Sequence, residues 1–337
     1  MGSDRFTVCL TAAVLWLTGA PATAGAQVAE SVGTRALGMG GAFVAVASDS
    51  SATWWNPAGL AAGPFLDMAL ARAKVETGEG TAAWRHTTSW FALATPPVGI
   101  SYYRFRITDI QPSGPTAAGG GDREDRAAGV PVRSLSASHL GVTLVQTLIA
   151  GVHAGATLKY VRGTVHAGRS GAGMSTTSDL LDAGEALQDG DADSRFDVDA
   201  GLLAVAGPVR LGARIRNALQ PAFEGMRLPR QTRVGVAFDP EALTGVPLTV
   251  ALDADVVTYE TASGPRRVVA AGAEQWFLAR RLGVRAGGRF NTTGARERSA
   301  TAGASVAVRS GLYVEGHAVR GGSADERGWG IAARVSF

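Results

Sequence analysis

The chain has 337 residues, with 32 basic and 29 acidic side chains for a net charge of +3, 46% hydrophobic residues, 45 glycines and one cysteine. A near-neutral balance without a basic run argues against nucleic acid as a partner. No stretch reaches the ~18 consecutive apolar positions that a spanning helix needs, which excludes a helical membrane protein.

In chain order, Arg5, the apolar run at 6–17 and the small residues Ala24, Gly25 and Ala26 read as a secretory signal peptide cleaved before Gln27. Cys9 falls inside it, so the mature chain is expected to carry no disulfide and no thiolate metal site, and no cofactor is implied. Residues 27–63 lack strand alternation. They contain Gly33-Thr34-Arg35-Ala36-Leu37-Gly38-Met39-Gly40-Gly41-Ala42-Phe43 and, further on, Trp54-Trp55-Asn56-Pro57-Ala58-Gly59-Leu60. Glycines at 38, 40 and 41 permit close backbone approach, and Asn56-Pro57 makes a rigid turn. The G-M-G-G run lacks both the Lys-Ser/Thr of a phosphate loop and the spacing of a dinucleotide fingerprint, so nucleotide binding is not expected.

From 64 to the end the sequence alternates apolar and polar residues in segments bounded by turn residues, a period of two that suits strands and not helices. These segments lie at 66–76, 83–95, 98–109, 133–146, 152–166, 195–206, 209–218, 231–239, 247–259, 266–278, 282–291, 298–308, 311–320 and 327–337. An even count of about fourteen predicts an all-β fold, a transmembrane antiparallel barrel with a lipid-facing and a lumenal set on every strand. Prolines fall in the connections or at strand starts, as a closed sheet requires. The connections alternate in length: 110–132 and 168–194 are long, whereas Pro96-Pro97 and Gly207-Pro208 are short. On this parity Arg210, Arg214, Arg216, Asp253, Asp255, Arg285, Arg289, Glu315 and Arg334 point into the lumen, where they can pair with one another and with the segment at 27–63.

Asp189, Asp191 and Asp193 have the D-x-D-x-D spacing of a calcium loop, but Ser194 stands at the glycine position and Ala200 at the bidentate glutamate position, so a solvated acidic loop is the competing reading. Histidines occur singly and no H-E-x-x-H or G-x-S-x-G frame is present. Ser136, Ser138 and His139 adjoin only in sequence, and an enzyme is not expected.

The 33–61 text closely resembles the N-terminal segment of FadL-like outer-membrane proteins, including the PorV/PorQ branch, and the later segments at 228–238, 272–274 and 282–290 are similar too. The resemblance implies a barrel at 64–337 in the outer membrane of a diderm bacterium, with 27–63 folded into the lumen as a hatch. Gly38, Gly40, Gly41, Asn56, Pro57 and Ala58 then become hatch or gating residues. It further implies passive transport of hydrophobic small molecules, such as long-chain fatty acids. A hydrophobic path would be lined by Phe43, Trp54, Trp55, Phe65 and loop residues, with plug core as the alternative role of Trp54 and Trp55. Alternatively, a PorV-like barrel would bind or anchor proteins exported by type IX secretion. Expected partners are outer-membrane lipid and the barrel-assembly machinery, which in proteins it resembles recognises a final strand such as the one carrying Trp329, Val335 and Phe337.

Overall fold

The computed structural model describes residues 32–77, 83–110, 130–169, 176–188, 190–224, 226–261, 264–294, 296–322 and 326–337. The expected signal peptide, its cleavage site and Asp189 lie outside the described residues, as does most of the 110–132 connection.

The alternating segments form a wall of strands β1 (Asp67–Glu76), β2 (Trp84–Thr95), β3 (Val98–Ile110), β4 (Pro131–Ile149), β5 (Val152–Arg169), β6 (Ala192–Ala206) and β7 (Val209–Arg216). The two short strands β8 (Ala222–Phe223) and β9 (Met226–Arg227) form a hairpin of their own. The wall resumes with β10 (Gln231–Phe238) and β11 (Leu248–Asp255), and a second hairpin joins β12 (Tyr259–Thr261) to β13 (Gly264–Arg266). It continues through β14 (Val268–Phe277), β15 (Leu282–Asn291), β16 (Arg298–Arg309), β17 (Leu312–Gly321) and β18 (Arg327–Ser336). Each wall strand pairs with its neighbours in antiparallel register, and β1 pairs with both β2 and β18. The fourteen strands therefore close into a barrel with no free edge.

Connections shorten at one end, as at 96–97, 150–151 and 207–208, and lengthen at the other. Outward positions form an apolar belt that includes Leu70, Leu140, Leu158, Leu202, Leu252 and Ile331, all exposed. Such a continuous apolar exterior is the lipid-facing surface of a barrel. Trp329 and Phe337 share this outward face, 47% and 65% exposed, while Val335 is half-buried.

All fourteen expected segments are wall strands, and the differences lie at their ends. Strand β4 runs past the expected bounds at both ends, to Pro131 and Ile149, while β5 and β6 run on at the long-loop end to Arg169 and Ala192, where Gly168, Arg169 and Asp193 blunt the alternation. The segment expected over 247–259 leaves the wall after Asp255, whose carboxylate accepts from Val268 N at 2.8 Å and Arg233 Nε at 2.7 Å. The long connection expected at 168–194 contains a helix, Thr177–Ala186, capped by Thr176 Oγ1 accepting from Asp179 N at 3.1 Å.

Inside the barrel lie helix α1 (Thr34–Gly38), helix α2 (Ala52–Trp55) and a 3₁₀ turn (Pro57–Ala62), nearly all buried. In chain order the loop helix Thr177–Ala186 is α3, and a four-residue helix α4 (Glu241–Thr244) sits in a turn at the short-connection end.

Replacing belt residue Leu252 by Arg should destabilise the folded barrel by about 2–4 kcal/mol if its strand crosses the bilayer midplane there. Urea titration of refolding into lipid vesicles measures this, and a change below ~0.5 kcal/mol would contradict the lipid-facing assignment.

Candidate functional site

The plug at 32–63 meets the wall along three kinds of contact. The first is backbone against backbone. Gly40 has φ +71°, and a Cβ there would lie 2.5 Å from Gly288 N. One on Gly287 would lie 2.2 Å from Met39 C, and one on Gly155 2.4 Å from Ala58 N. A side chain at these wall positions would push the plug off, so inward glycines are what admit it. Gly38 is close too, its carbonyl accepting from Thr301 Oγ1 at 3.0 Å. Gly41 has φ +83° and faces Trp55.

The second contact is a ring of charge. Arg35 on α1 donates to Glu274 of β14 from Nε at 2.9 Å and Nη2 at 2.5 Å, and from Nη1 to Asp49 at 3.3 Å. Glu274 also accepts from Arg285 Nε at 2.6 Å, Arg285 reaches Ser305 Oγ at 2.5 Å, and that hydroxyl donates to Glu315 at 2.9 Å. Arg334 lies 3.4 Å from Glu315 and 3.6 Å from Asp49, which returns the chain of contacts to Arg35. Burial opposes the Arg35 charge, but Glu274 and Asp49 outweigh it and hold the guanidinium above its ordinary range.

The third contact is polar satisfaction of the plug's bends. Asn56, fully buried, donates from Nδ2 to Val44 O at 2.8 Å and to the wall carbonyl of Leu202 at 3.0 Å, while its Oδ1 accepts from Ala58 N at 3.2 Å. Asp253 of β11 accepts from Phe43 N at 2.7 Å and Val44 N at 2.9 Å. Pro57 follows Asn56 as the first residue of the 3₁₀ turn.

The remaining expected lumenal charges have separate duties. Arg216 lies 3.9 Å over the Trp54 ring and Arg214 4.9 Å over Trp55, with Arg214 Nη1 donating to Trp54 O at 3.2 Å. Arg233 holds Asp255, Arg210 pairs with Asp239 at 3.0 Å, and Arg289 pairs with Glu326.

Of the four residues expected along a path, Phe43 and Trp55 sit in the plug core, edge to face at 6.1 Å. Phe65 is 80% exposed at the start of β1, so the expectation that it lines an inner path does not hold. Trp54 alone turns to the β2–β4 wall, 4.9 Å from both Tyr103 and Phe105 and 5.8 Å from His139. Above it toward the long loops follow Ile107, Leu135, Val161, Val165, Phe223 and Leu228, a second apolar cluster. Phe223 arrives from the β8–β9 hairpin and packs on Gly163. The lumen thus has an apolar stretch on β3 and β4, flanked by the inward charge Lys159 of β5, and a charged side at β10–β18. The cavities beside the plug are small, about 20 Å³ by Gly40 and Arg233 and about 10 Å³ by Arg35 and Trp90, room for about one water each.

The calcium candidate is not assembled by the described residues. Asp191 is exposed, while Asp193 lies in β6, accepts from Ser194 N at 2.7 Å and pairs with Arg195. Nothing in the sequence reading anticipated a buried cluster in which Lys159 Nζ reaches Asp197 at 2.7 Å, Asp199 at 2.6 Å and Asn217 at 2.9 Å. Its signal was available: Lys159 is one of only two lysines and has inward parity on β5.

Glu274→Gln leaves Arg35 and Arg285 underbalanced in a buried site and should loosen the plug by about 3–5 kcal/mol. Hydrogen exchange over 33–63 should speed up while the wall stays protected, and ion conductance in planar bilayers should rise. Unchanged exchange and conductance would contradict the ring's role. Asn56→Ala should act the same way at about 1–3 kcal/mol, because it strands two buried carbonyls.

No family model matches the chain, and no curated protein matches it. Solved structures do. The toluene transporter TbuX of Ralstonia pickettii aligns with a TM-score of 0.62 at 14% identity, covering 91% of this chain and 98% of that one. A FadL homologue of Pseudomonas aeruginosa gives 0.62 at 11%, covering 93% and 100%. The toluene transporter TodX of Pseudomonas putida gives 0.56 at 12%, covering 93% and 99%. Identities this low speak for the fold alone, and that fold is the FadL-like barrel.

Proposed function

We propose that the protein lets small hydrophobic molecules pass the outer membrane without an energy source, entering from the long-loop end and leaving past the plug. The observation that carries this reading is the apolar side of the lumen. Inward residues Ile107 and Leu135 are register partners, followed by Phe105 and Ala137 and then by Tyr103 and His139, so a largely apolar surface runs along β3 and β4 down to Trp54. Two further observations support it: solved barrels of the same fold are described as toluene transporters or monoaromatic hydrocarbon channels, and hydrophobic cargo needs contact area without hydrogen-bonding partners, which this side offers.

Passage requires that the plug shift against the wall, because the lumen is filled as it stands. The plug meets the wall at Gly38 and Gly40 near β15 and β16, at Gly41 near Arg233 of β10, and at Asn56, Pro57 and Ala58 against β5 and β6, and the last of these contacts is the seam that must part. The charged side anchors the plug by ion pairs, whereas the apolar side holds it by packing and by two neutral hydrogen bonds, Thr53 with Tyr103 at 2.5 Å and Thr157 Oγ1 to Thr53 O at 3.4 Å. A cargo that replaces apolar contacts with its own therefore opens the seam at β2–β5 more easily than at β14–β18.

Purified protein in liposomes should take up radiolabelled toluene or oleate above protein-free and porin-containing controls. Phe223→Asp, which places a charge on the apolar side, should cut uptake about tenfold with ion conductance unchanged. Uptake no faster than in protein-free vesicles would sink the proposal.

A further inference from the structure

The apolar side that carries the transport reading is interrupted by two nitrogen atoms. Trp54 Nε1 of the plug and His139 Nδ1 of β4 are buried, and neither has a hydrogen-bond partner among the described residues. Their rings are neighbours, 5.8 Å apart, and both lie against Phe105, at 4.9 Å and 5.1 Å. A buried indole N–H and a buried imidazole nitrogen left unpaired each cost stability, and here two such groups adjoin.

Other polar groups of the same contact are not left this way. Thr53 and Tyr103 share a hydroxyl contact at 2.5 Å, and Thr143 and Thr157 another at 2.8 Å. His86, which also packs on Phe105, has Thr88 Oγ1 at 3.3 Å. The unpartnered pair therefore joins one plug residue to one wall residue, on the face where the plug is held by packing and neutral hydrogen bonds.

Both residues are held in place from behind. Arg216 lies 3.9 Å over the Trp54 ring, and Arg214 Nη1 donates to the Trp54 carbonyl at 3.2 Å. On the wall, His139 ends the inward run Leu135, Ala137, His139, whose register partners on β3 are Ile107, Phe105 and Tyr103. A guest that follows this run and parts Trp54 from the wall comes to lie beside both nitrogens.

We propose that the apolar side selects cargo with one uncharged hydroxyl on a hydrophobic body, a phenol or an aromatic alcohol, and that Trp54 and His139 recognise that group. A hydroxyl both accepts and donates, so its oxygen accepts from Trp54 Nε1 while its proton goes to His139 Nδ1, with the imidazole proton on Nε2. A bare hydrocarbon leaves both nitrogens unpaired, which is the kind of mismatch that discriminates strongly between analogues. A carboxylate is unsuited as well. The cations that act on His139 are Lys159 and Arg216; Lys159 is already bound by Asp197 at 2.7 Å and Asp199 at 2.6 Å, and Arg216 faces Asp199 too. The inference deepens the transport reading and rests on it.

The test uses the whole mature protein in nanodiscs and three probes of similar shape, p-cresol, p-xylene and p-toluate. Binding is titrated calorimetrically against empty nanodiscs for wild type, His139→Phe and Trp54→Phe, each checked for folding by heat-modifiable migration. The ratio of p-cresol to p-xylene affinity should fall about fivefold or more in either variant, a comparison in which the different hydration of the two probes cancels. In wild type carrying isotopically labelled histidine, p-cresol should move the ring nitrogen NMR signal that His139→Phe removes, and p-xylene should leave it in place. p-Toluate should bind wild type at least about fivefold more weakly than p-cresol. An unchanged affinity ratio in the folded variants, an unmoved His139 signal, or p-toluate binding as tight as that of p-cresol overturns the proposal. If a variant does not fold, the wild-type nitrogen signal decides. Wild type that binds none of the probes sinks the transport reading together with this one, whereas p-cresol and p-xylene binding with an unchanged ratio sinks the hydroxyl assignment alone.

Discussion

The ring from Arg35 through Glu274, Arg285, Ser305 and Glu315 to Arg334 and Asp49 is the constraint on which the rest of the structure depends. Two of its members belong to the plug and five to strands β14 to β18, and the pairs Arg35–Glu274 and Arg334–Asp49 cross from one part to the other. Each part also holds pairs of its own, Arg35–Asp49 in the plug and Arg285–Glu274 and Arg334–Glu315 in the wall, and seating the plug joins them into one buried network whose members cost several kcal/mol to separate. Segment 32–63 has no long helix or sheet of its own, and its order comes from this anchorage together with the glycine contacts and Asn56.

Anchoring on one side leaves the other free for a different role. At β2–β5 the plug presents Trp54 to aromatic and aliphatic side chains, an interface built from area and shape. Ion pairs are directional and break at high cost, whereas apolar contacts can be exchanged for similar contacts with a guest. The lumen therefore combines an ion-paired attachment on one side with a packed, largely apolar contact on the other. A uniform distribution of the same residues would hold the plug equally on every side.

The exterior obeys a simpler rule. Every outward position must suit the surroundings it meets, so the exposed large side chains around the wall are apolar, as at Leu70, Leu140, Leu202 and Ile331. The alternation that builds the wall lets inside and outside evolve separately, since successive residues point to opposite faces.

Strand positions were legible because a period of two survives wherever one face meets lipid and the other a polar lumen, as in Leu282–Asn291, found as expected. The strand ends beyond the belt were not legible, because both faces there meet water. Helix α3 escaped notice since its Gly- and Asp-rich surroundings carry no helical period, and its Leu181 gains meaning only once the β3–β4 surface beneath it exists. The lumenal charges could be assigned to a face but not to partners: Arg285 and Glu274 face each other across β14–β15, while Arg35 reaches them from 239 residues away in sequence. The tryptophans were recognisable as plug residues, yet which of them faces the apolar side follows from how α2 sits in the barrel. By itself, then, the sequence determined the strand count, the two faces and the existence of a separate N-terminal segment, all properties of local periodicity. Tertiary structure alone decided which charges close the ring, which side of the lumen stays apolar and which outward residues become cross-strand neighbours, because each is a relation between strands whose register only the closed barrel sets.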